Sequence, residues 1–401
     1  MTPPIDRSAL MSTYRDPSVT FVSGSGAVLV DDAGREYLDF LSGLAVTSLG
    51  HAHPAVTSAL CTQAGQLLHV SNLFGNEIGP EVAAVLDQLI GDGTRVGGQV
   101  FFANSGAEAN ECAIKLARKW AGRGRGAVVA TWDGFHGRTL ATLAATGQPE
   151  KQVGFDPLPE GFSHVPYGDL AAMDEACDPE RVGAVLIEPI QGEAGVIVPS
   201  SDYLAGLRQL CTDRGILLIV DEVQTGLGRT GRWFGFHHAG IEPDIVTMAK
   251  ALGNGVPVGA CWARPEVAAA FSPGDHGSTF GGQPLAMAAA RATLRTMIEI
   301  DAPAQARRAG ERLTSRLAAL PRVVAVRGPG LLVAAVLDGS YAGEAVARML
   351  EAGLVANAPR TDTVRFAPPL VVTDAQIDEA VAIVGRVLDG FEPAPGTGGS
   401  G

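Results

Sequence analysis

Short apolar runs alternate with longer helical patterns from about residue 50 onward. The apolar runs predict strands at 99–103, 126–131, 183–188, 215–221, 244–248 and 257–262. Apolar positions with helical spacing predict helices at 54–69, 78–90, 107–121 and 201–213. Helical segments between strands indicate a mostly parallel sheet with helices on both faces. The predicted fold class is therefore α/β.

The two ends of the chain follow other patterns. Residues 26–40 predict a β-hairpin with its turn at Asp32-Ala33-Gly34-Arg35. After Pro284 an alanine-rich helical stretch leads into a second region, with predicted strands at 330–336 and 363–366 and helices near 343–352 and 374–389. We expect four parts: an N-terminal segment (1–45) that packs with the small domain, a large domain (46–285), a small α+β C-terminal domain (286–391) and a disordered, low-complexity tail (392–401).

Composition and charge narrow the class of protein. The chain has 401 residues and a formal net charge of −13, which argues against nucleic acid or an anionic membrane as the main partner. The five cysteines are scattered and never form a Cys-x-x-Cys pair, which indicates free thiols in a reducing compartment. The first 16 residues lack the apolar core of a signal peptide, and no apolar run reaches membrane-spanning length. We therefore expect a cytoplasmic protein.

Two charged residues end neighbouring predicted strands. Asp221 follows the run 215–220, and Lys250 closes the run 244–249 just before a glycine-rich stretch. Taken alone, each could be a solvated strand end. Together, at one edge of a sheet, they suit an enzyme that uses pyridoxal phosphate, because the lysine can bind the cofactor aldehyde covalently and the aspartate can keep the pyridine nitrogen protonated.

A possible phosphate site lies where strand 99–103 passes through Ser105 and Gly106 into a helix. Free backbone N–H groups at such a helix start bind anions, and a glycine allows close approach. The same residues could also be an ordinary helix cap. The glycine- and hydroxyl-rich loop 276–282, with Ser278 and Thr279, could add hydrogen bonds to a phosphate, or be a turn before a helix.

Other strand ends carry groups that could bind a ring or a carboxylate. Phe135 could stack on a planar ring, and Arg138 offers a two-pronged guanidinium. Glu188 and Glu193 could be ion-pair partners, and Arg365 could provide a second anion contact or a surface ion pair. The histidines lack acidic or cysteine partners at ligand spacing, so we expect no metal site.

Six segments, taken in order and spacing, resemble the class III (ornithine-type) aminotransferases. They are 104–110, 135–138, 188–193, 221–226, Lys250 and 277–282. The resemblance extends from about Tyr14 to Leu388. It implies fold type I of the pyridoxal phosphate enzymes, with a seven-stranded type of sheet, and a homodimer with shared active sites. Ala107 departs from the threonine that is commoner at its position.

The resemblance also implies roles for individual residues. Lys250 and Asp221 would be catalytic. The cofactor pyridoxal 5'-phosphate would be held by Ser105, Gly106, Ala107, Phe135, Asp221, Glu222, Val223, Gln224, Lys250 and Thr279. The substrates would be bound by Arg138, Ser278, Arg365 and Glu193. Ser278 and Thr279 would reach the site from the other subunit.

The resemblance is greatest to bacterial members that act on N2-acetyl-L-ornithine in arginine biosynthesis. It rests on residues 135–138, 276–282, 355–358 and 364–369. The implied small molecules are acetylornithine, 2-oxoglutarate and glutamate. Alternatives are a related ω-aminotransferase that uses succinylornithine, ornithine, a lysine-pathway precursor or 4-aminobutyrate, or a catalytically silent binding protein. The complete set of Lys250, Asp221 and Arg138 argues against the last.

Overall fold

The structure is a computed structural model that describes residues 9–391. Its strands are β1 (Phe21–Ser25), β2 (Val28–Asp31), β3 (Glu36–Asp39), β4 (Gln99–Ala103), β5 (Ala127–Thr131), β6 (Phe162–Val165), β7 (Val182–Ile187), β8 (Leu217–Asp221), β9 (Ile245–Met248), β10 (Gly259–Ala263), β11 (Val323–Arg327), β12 (Val333–Leu337), β13 (Leu354–Val355), β14 (Asn357–Arg360) and β15 (Thr363–Phe366). Its helical elements are α1 (Ser42–Ala45), α2 (Pro54–Ala64), α3 (Ile78–Ile90), α4 (Gly106–Ala121), α5 (Leu140–Ala145), α6 (Leu170–Ala176), α7 (Tyr203–Arg214), α8 (Pro265–Ala268), α9 (Pro284–Glu299), α10 (Ala302–Ala318), α11 (Ala342–Glu351) and α12 (Asp374–Asp389). The first of these, α1, is a single left-handed turn, because all of its residues have a positive φ.

A central sheet of seven strands has the order β4-β10-β9-β8-β7-β5-β6, and only β10 runs antiparallel to its neighbours. Alternate residues of β8 enter two apolar clusters on opposite faces of the sheet. Leu218 and Val220 belong to one cluster, and Leu217 and Ile219 belong to the other. Because both faces are covered, β8 is apolar along its length until Asp221. The predicted mostly parallel α/β sheet is confirmed.

The six predicted strands of this sheet are all present, within two residues at each end. The strand that the sequence pattern missed is β6, at the edge of the sheet. It pairs only with β5, and the polar residues Ser163 and His164 interrupt its apolar pattern. An edge strand needs less apolar surface than a central one, so its sequence carries a weaker signal.

The helix predicted over 54–69 is shorter than expected, because α2 ends at Ala64 and Gly65 caps it. The chain then runs as a loop to α3. The other three predicted helices of this region, at 78–90, 107–121 and 201–213, correspond to α3, α4 and α7. The pattern missed α5 and α6, which have six and seven residues and are too short to show a helical period.

Two smaller sheets flank the central one, in the orders β1-β2-β3-β13 and β11-β12-β15-β14. The predicted hairpin is β2 and β3, and Asp31 Oδ1 accepts hydrogen bonds from the Ala33 and Arg35 amides in its turn. Strand β13 pairs in parallel with β3, so the N-terminal segment lies against the C-terminal region. The domain boundaries near 45 and 285 stay predictions, and the tail 392–401 lies outside the described residues.

No helix within residues 9–391 has both the length and the apolar character needed to cross a membrane. The five cysteines are free thiols, and four of them are buried. Buried cysteines of this kind act as small apolar residues of the core.

Candidate active site

A cavity of about 410 Å³ lies at the carboxyl edge of the central sheet. Five strands deliver one polar or aromatic residue each to its wall: Ser105 after β4, Phe135 after β5, Glu188 after β7, Asp221 at the end of β8 and Lys250 after β9. Because parallel strands end at the same edge of a sheet, residues far apart in sequence meet here. The expected meeting of Lys250 and Asp221 is confirmed.

Lys250 begins a short 3-10 turn, Lys250–Gly253, and has a φ of +43°. This left-handed backbone is unfavourable for a residue other than glycine, so the surrounding fold must hold it in place. Burial lowers the pKa of the Lys250 amine, and the negative charge of Glu193 partly opposes that shift. A lowered pKa leaves more of the amine unprotonated near neutral pH than in a solvated lysine, and only the unprotonated amine can act as a nucleophile or base.

Asp221 is held by hydrogen bonds from three sides. Its Oδ2 accepts from Asn110 Nδ2 at 2.7 Å and lies 2.8 Å from His136 Nδ1, and its Oδ1 accepts from the Val223 amide at 3.0 Å. Asn110 is itself fixed, because its Oδ1 accepts from Thr247 Oγ1 at 2.7 Å. Asp221 is only 4% exposed. Its carboxylate therefore has one fixed orientation toward the cavity.

The sequence pattern did not assign Asn110 and His136 to this network. Both residues lie within the segments that resemble the family, but Asn110 lies in the second turn of α4 and His136 lies in a loop. Their distance from Asp221 along the chain, 111 and 85 residues, hides the contact. Only the packing of α4 against the sheet brings the three together.

The start of α4 forms one wall of the cavity. Ser105 caps the helix, and its Oγ accepts from the Glu108 amide at 3.2 Å. The amides of Gly106 and Ala107 belong to the first turn, where backbone donors lack partners within the helix. A Cβ on Gly106 would lie 2.9 Å from Val223 Cγ1, so a larger residue at position 106 would push against the Val223 side chain that borders the cavity. A helix start of this kind attracts phosphate.

Phe135 and Arg138 form the outer part of the cavity. The Phe135 amide donates to Glu188 Oε2 at 3.0 Å, which fixes the loop that carries the ring. The Arg138 guanidinium lies over the Phe135 ring, 5.6 Å from its centre, and its side chain is exposed. A cation stacked on an aromatic ring beside an open cavity suits a carboxylate of an incoming molecule.

Two buried carboxyl groups near Asp221 have unusual acidity. Burial raises the pKa of Glu188 to about 7 and, separately, that of Glu222 to about 7. Desolvation disfavours the charged form of a carboxyl group, so both are largely protonated below that pH. A protonated Glu188 adds no second negative charge beside Asp221.

Arg365 lies behind the cavity wall and does not line it. Its Nη1 donates to Glu193 Oε1 at 2.7 Å and to Gln224 Oε1 at 3.1 Å, and these two partners do line the cavity. Burial on its own would raise the pKa of Glu193, but the charges of Arg365 and Lys250 and the hydrogen bonds from Arg365 and Gln224 together lower it. Glu193 is therefore a carboxylate that covers a buried cation.

The cavity brings together ten of the predicted site residues: Ser105, Gly106, Ala107, Phe135, Arg138, Glu193, Asp221, Val223, Gln224 and Lys250. The other four predicted site residues do not line the cavity: Arg365, Glu222, Ser278 and Thr279. Glu222 turns to the opposite face of the sheet, where its carboxyl oxygens accept from the Phe236 amide and Thr225 Oγ1. Thr279 is exposed, and Ser278 Oγ accepts from Asn104 Nδ2 at 3.1 Å at the cavity's rim.

The residues of the cavity fit pyridoxal phosphate. A helix start with free amides stands at one end, and the fixed carboxylate of Asp221, suited to a protonated ring nitrogen, stands at the other. Phe135 and Val223 border the space between them, and the partly buried Lys250 amine faces the same cavity, where it can reach an aldehyde. Within residues 9–391 we find no cluster of histidine, cysteine, aspartate or glutamate that could hold a metal ion.

Comparison with known proteins gives a consistent result along the whole chain. The model of the family "Aminotransferase class-III" matches residues 11–388. The acetylornithine aminotransferase of Corynebacterium efficiens is 49% identical over 384 residues, 94% of each chain. That of Mycobacterium tuberculosis is 46% identical over 97% of this chain and 96% of its own. The ornithine aminotransferase of Toxoplasma gondii, solved with pyridoxal phosphate at partial occupancy in its active site, aligns with a TM-score of 0.89 and 36% identity over 95% of this chain and 92% of its own.

Proposed function

The chain belongs to the class III aminotransferases, and from this premise we propose that it transfers the amino group of N2-acetyl-L-ornithine to 2-oxoglutarate. The products would be N-acetyl-L-glutamate 5-semialdehyde and L-glutamate, in a step of arginine biosynthesis. The observation that carries the proposal is the 46–49% identity to acetylornithine aminotransferases over at least 94% of the chain. The family depends on pyridoxal phosphate, for which the cavity has the required residues.

Pyridoxal phosphate supplies an aldehyde that can carry an amino group and a ring that withdraws electrons from the reacting carbon. The residues of this chain would position it and move protons. Ser105, Gly106 and Ala107 would hold the phosphate, and Asp221 would keep a proton on the pyridine nitrogen. Lys250 would bind the aldehyde, and its Nζ would take a proton from the substrate carbon and return it.

The two substrates would use the same cavity in turn. Arg138 would bind the α-carboxylate of acetylornithine and later the distal carboxylate of 2-oxoglutarate. Arg365 would bind the α-carboxylate of the keto acid, and Glu193 would cover it while acetylornithine is present. One site used twice gives ping-pong kinetics.

A panel of amino donors assayed with 2-oxoglutarate tests the proposal. We expect acetylornithine to have the highest kcat/KM, because Arg138 provides a carboxylate anchor at a fixed distance from Lys250. Succinylornithine, ornithine and 4-aminobutyrate are the comparison donors. A preference for any of these would replace the proposal with a related ω-aminotransferase activity. No turnover with any donor would favour a binding protein instead.

We also propose that the enzyme is a homodimer with shared active sites. Large apolar side chains are exposed on two adjoining segments, 67–74 and 276–282: Leu67, Leu68, Leu73, Phe74 and Phe280. Leu73 is 85% exposed and Phe74 is 68% exposed. The segments are joined by a hydrogen bond from Asn72 Nδ2 to the Gly281 carbonyl at 2.9 Å. A contiguous apolar patch of this kind favours a protein partner, and a second copy of the chain would place Thr279 near the neighbouring cavity.

Mixed dimers would test the shared site. We expect Lys250→Ala and Thr279→Glu to be inactive separately, the second because its charge would repel the cofactor phosphate. After co-expression, one site of each hybrid would combine an intact Lys250 with an intact Thr279. Random pairing should restore about a quarter of the wild-type activity, because half of the dimers are hybrids with one working site.

The matched control is co-expression of Lys250→Ala with Asp221→Ala. Both residues belong to one chain's own site, so no hybrid should contain a complete site. Recovery no greater than in this control, or a fully active monomer, would contradict the shared site.

A further inference from the structure

The surroundings of Arg365 point to a residue that the proposed roles leave out. Asn357 on β14 stands directly opposite Arg365 on β15 in the register of the two strands. Its side-chain Oδ1 accepts a hydrogen bond from Arg365 Nε at 3.1 Å. The contact joins two residues whose backbones are already fixed in the same sheet. It therefore controls the orientation of the guanidinium plane rather than the position of the backbone.

The five N–H groups of a guanidinium form two possible forks for a carboxylate. One uses Nε with a terminal nitrogen, and the other uses the two terminal nitrogens. In this structure Asn357 occupies Nε, which closes the first fork. Nη1 donates to Glu193 and Gln224, and Nη2 is buried without a hydrogen-bond partner among residues 9–391. The fork that remains for a ligand is the terminal one, on the Glu193 side.

The charge of each group that hydrogen-bonds to Arg365 matters as much as the position of that group. Arg365 is 1% exposed, so each negative charge near it competes strongly with a ligand carboxylate. Glu193 supplies one such charge and reaches Arg365 from the cavity wall. Asn357 supplies an acceptor oxygen without a charge. It can hold the guanidinium without neutralising it when Glu193 moves away.

We propose that Asn357 is a positioning residue for the amino acceptor, which aims the terminal nitrogens of Arg365 at the α-carboxylate of the keto acid and leaves their charge available to it. The inference rests on the proposed binding of 2-oxoglutarate by Arg365. Asn357 would then affect the affinity for the amino acceptor, 2-oxoglutarate. It would not affect binding of the amino donor, because the carboxylate of acetylornithine would bind Arg138.

The test uses glutarate, an unreactive five-carbon dicarboxylate, titrated calorimetrically into the holoenzyme. Asn357→Ala removes the acceptor, and Asn357→Asp keeps an acceptor oxygen but adds a charge. Thr361→Ala is the control, because Thr361 is an exposed residue of the same hairpin turn whose side chain makes no contact with Arg365. We expect glutarate affinity to fall about 10-fold in Asn357→Ala, to fall further in Asn357→Asp, and to stay within about twofold in Thr361→Ala.

Two further measurements separate positioning from a purely structural role. The single-turnover rate with acetylornithine, without 2-oxoglutarate, should change less than about twofold in all variants, while the KM for 2-oxoglutarate follows the glutarate affinity. The melting temperature of Asn357→Asp should stay close to that of wild type, because the attraction of the added carboxylate to the buried Arg365 offsets the cost of desolvating the new charge.

Unchanged glutarate affinity in Asn357→Ala, or an equal loss of the donor single turnover, would overturn the inference while wild-type turnover of acetylornithine still supported the proposed function. A wild-type enzyme that transfers the amino group of acetylornithine but does not bind glutarate would also overturn it. A wild-type enzyme inactive toward acetylornithine would overturn the proposed function first, and the inference with it.

Discussion

The Lys250→Ala variant should lose turnover by about 10⁴-fold or more while keeping its fold, since in the proposed mechanism one side chain would provide both the covalent bond to the cofactor and the proton transfer. The structure supports this size of effect in two ways. The Lys250 amine lies partly buried at the meeting point of five strand ends, and desolvation lowers its pKa. No neighbouring lysine can replace it. The measurement is the transamination rate at saturating substrates, with circular dichroism to confirm the fold.

The lysine content of the chain gives this prediction a sharp control. There are four lysines, and the others are Lys115, Lys119 and Lys151. None of these three lines the cavity, and Lys119 pairs with Asp275 and Lys151 with Glu150. Borohydride treatment of the holoenzyme should fix the cofactor to the Lys250 peptide. Label on another lysine, or an active Lys250→Ala variant, would show that the assignment is wrong. Lys119→Ala should remain active.

The positions of the central strands and of their ends could be predicted from sequence because they depend on local apolar patterns, whereas the order of the strands in the sheet could not. Buried parallel strands are continuous apolar runs, and the residue that ends each run faces the cavity edge. This is why Asp221 and Lys250 could be placed together before the structure was known. The same reasoning fails for β6, which lies at the edge of the sheet and keeps polar residues.

The direction of each side chain was harder to predict than its place in the chain. Asp221 and Val223 line the cavity, whereas Glu222 between them faces the opposite side and bonds to the Phe236 amide. Alternation along an extended chain accounts for this, because successive side chains point to opposite faces. A motif match assigned all three to the cofactor, since a motif carries no information about faces.

Hydrogen bonds between side chains on separate elements could not be predicted from one sequence. The bonds of Asn110 and His136 to Asp221, and of Asn357 to Arg365, depend on helix-to-sheet packing and strand register. Each of these polar side chains has several possible partners at the level of sequence. The register of β14 and β15 selects Arg365 for Asn357, and that register is set by turn geometry and by the apolar pattern.

Arg138→Ala should reduce kcat/KM for acetylornithine by about 10² to 10⁴-fold, because it removes two charged hydrogen bonds worth about 1.5–3 kcal/mol each. Two features fix the position of Arg138: the contact of its guanidinium with the Phe135 ring and the backbone conformation of Gly137 before it. Its guanidinium stacks on the Phe135 ring. Gly137 before it has a φ of +142°, and a Cβ there would lie 2.5 Å from Thr142 Oγ1. The loop therefore sets the distance between this cation and Lys250.

Arg138→Ala should reduce kcat/KM for 2-oxoglutarate to a similar degree, since the distal carboxylate of 2-oxoglutarate would bind the same arginine. Arg138→Lys keeps the charge but loses the planar fork, so we expect an intermediate loss of about 10- to 100-fold. A simple diamine has no α-carboxylate, and its slow turnover should hardly change in either variant, which makes it the internal control for cofactor binding and proton transfer. If diamines are the preferred donors, or if acetylornithine kinetics are unaffected by Arg138→Ala, the substrate assignment is wrong. A related ω-aminotransferase activity would then account for the site, because the proposed roles of Lys250 and Asp221 would suit that chemistry equally well.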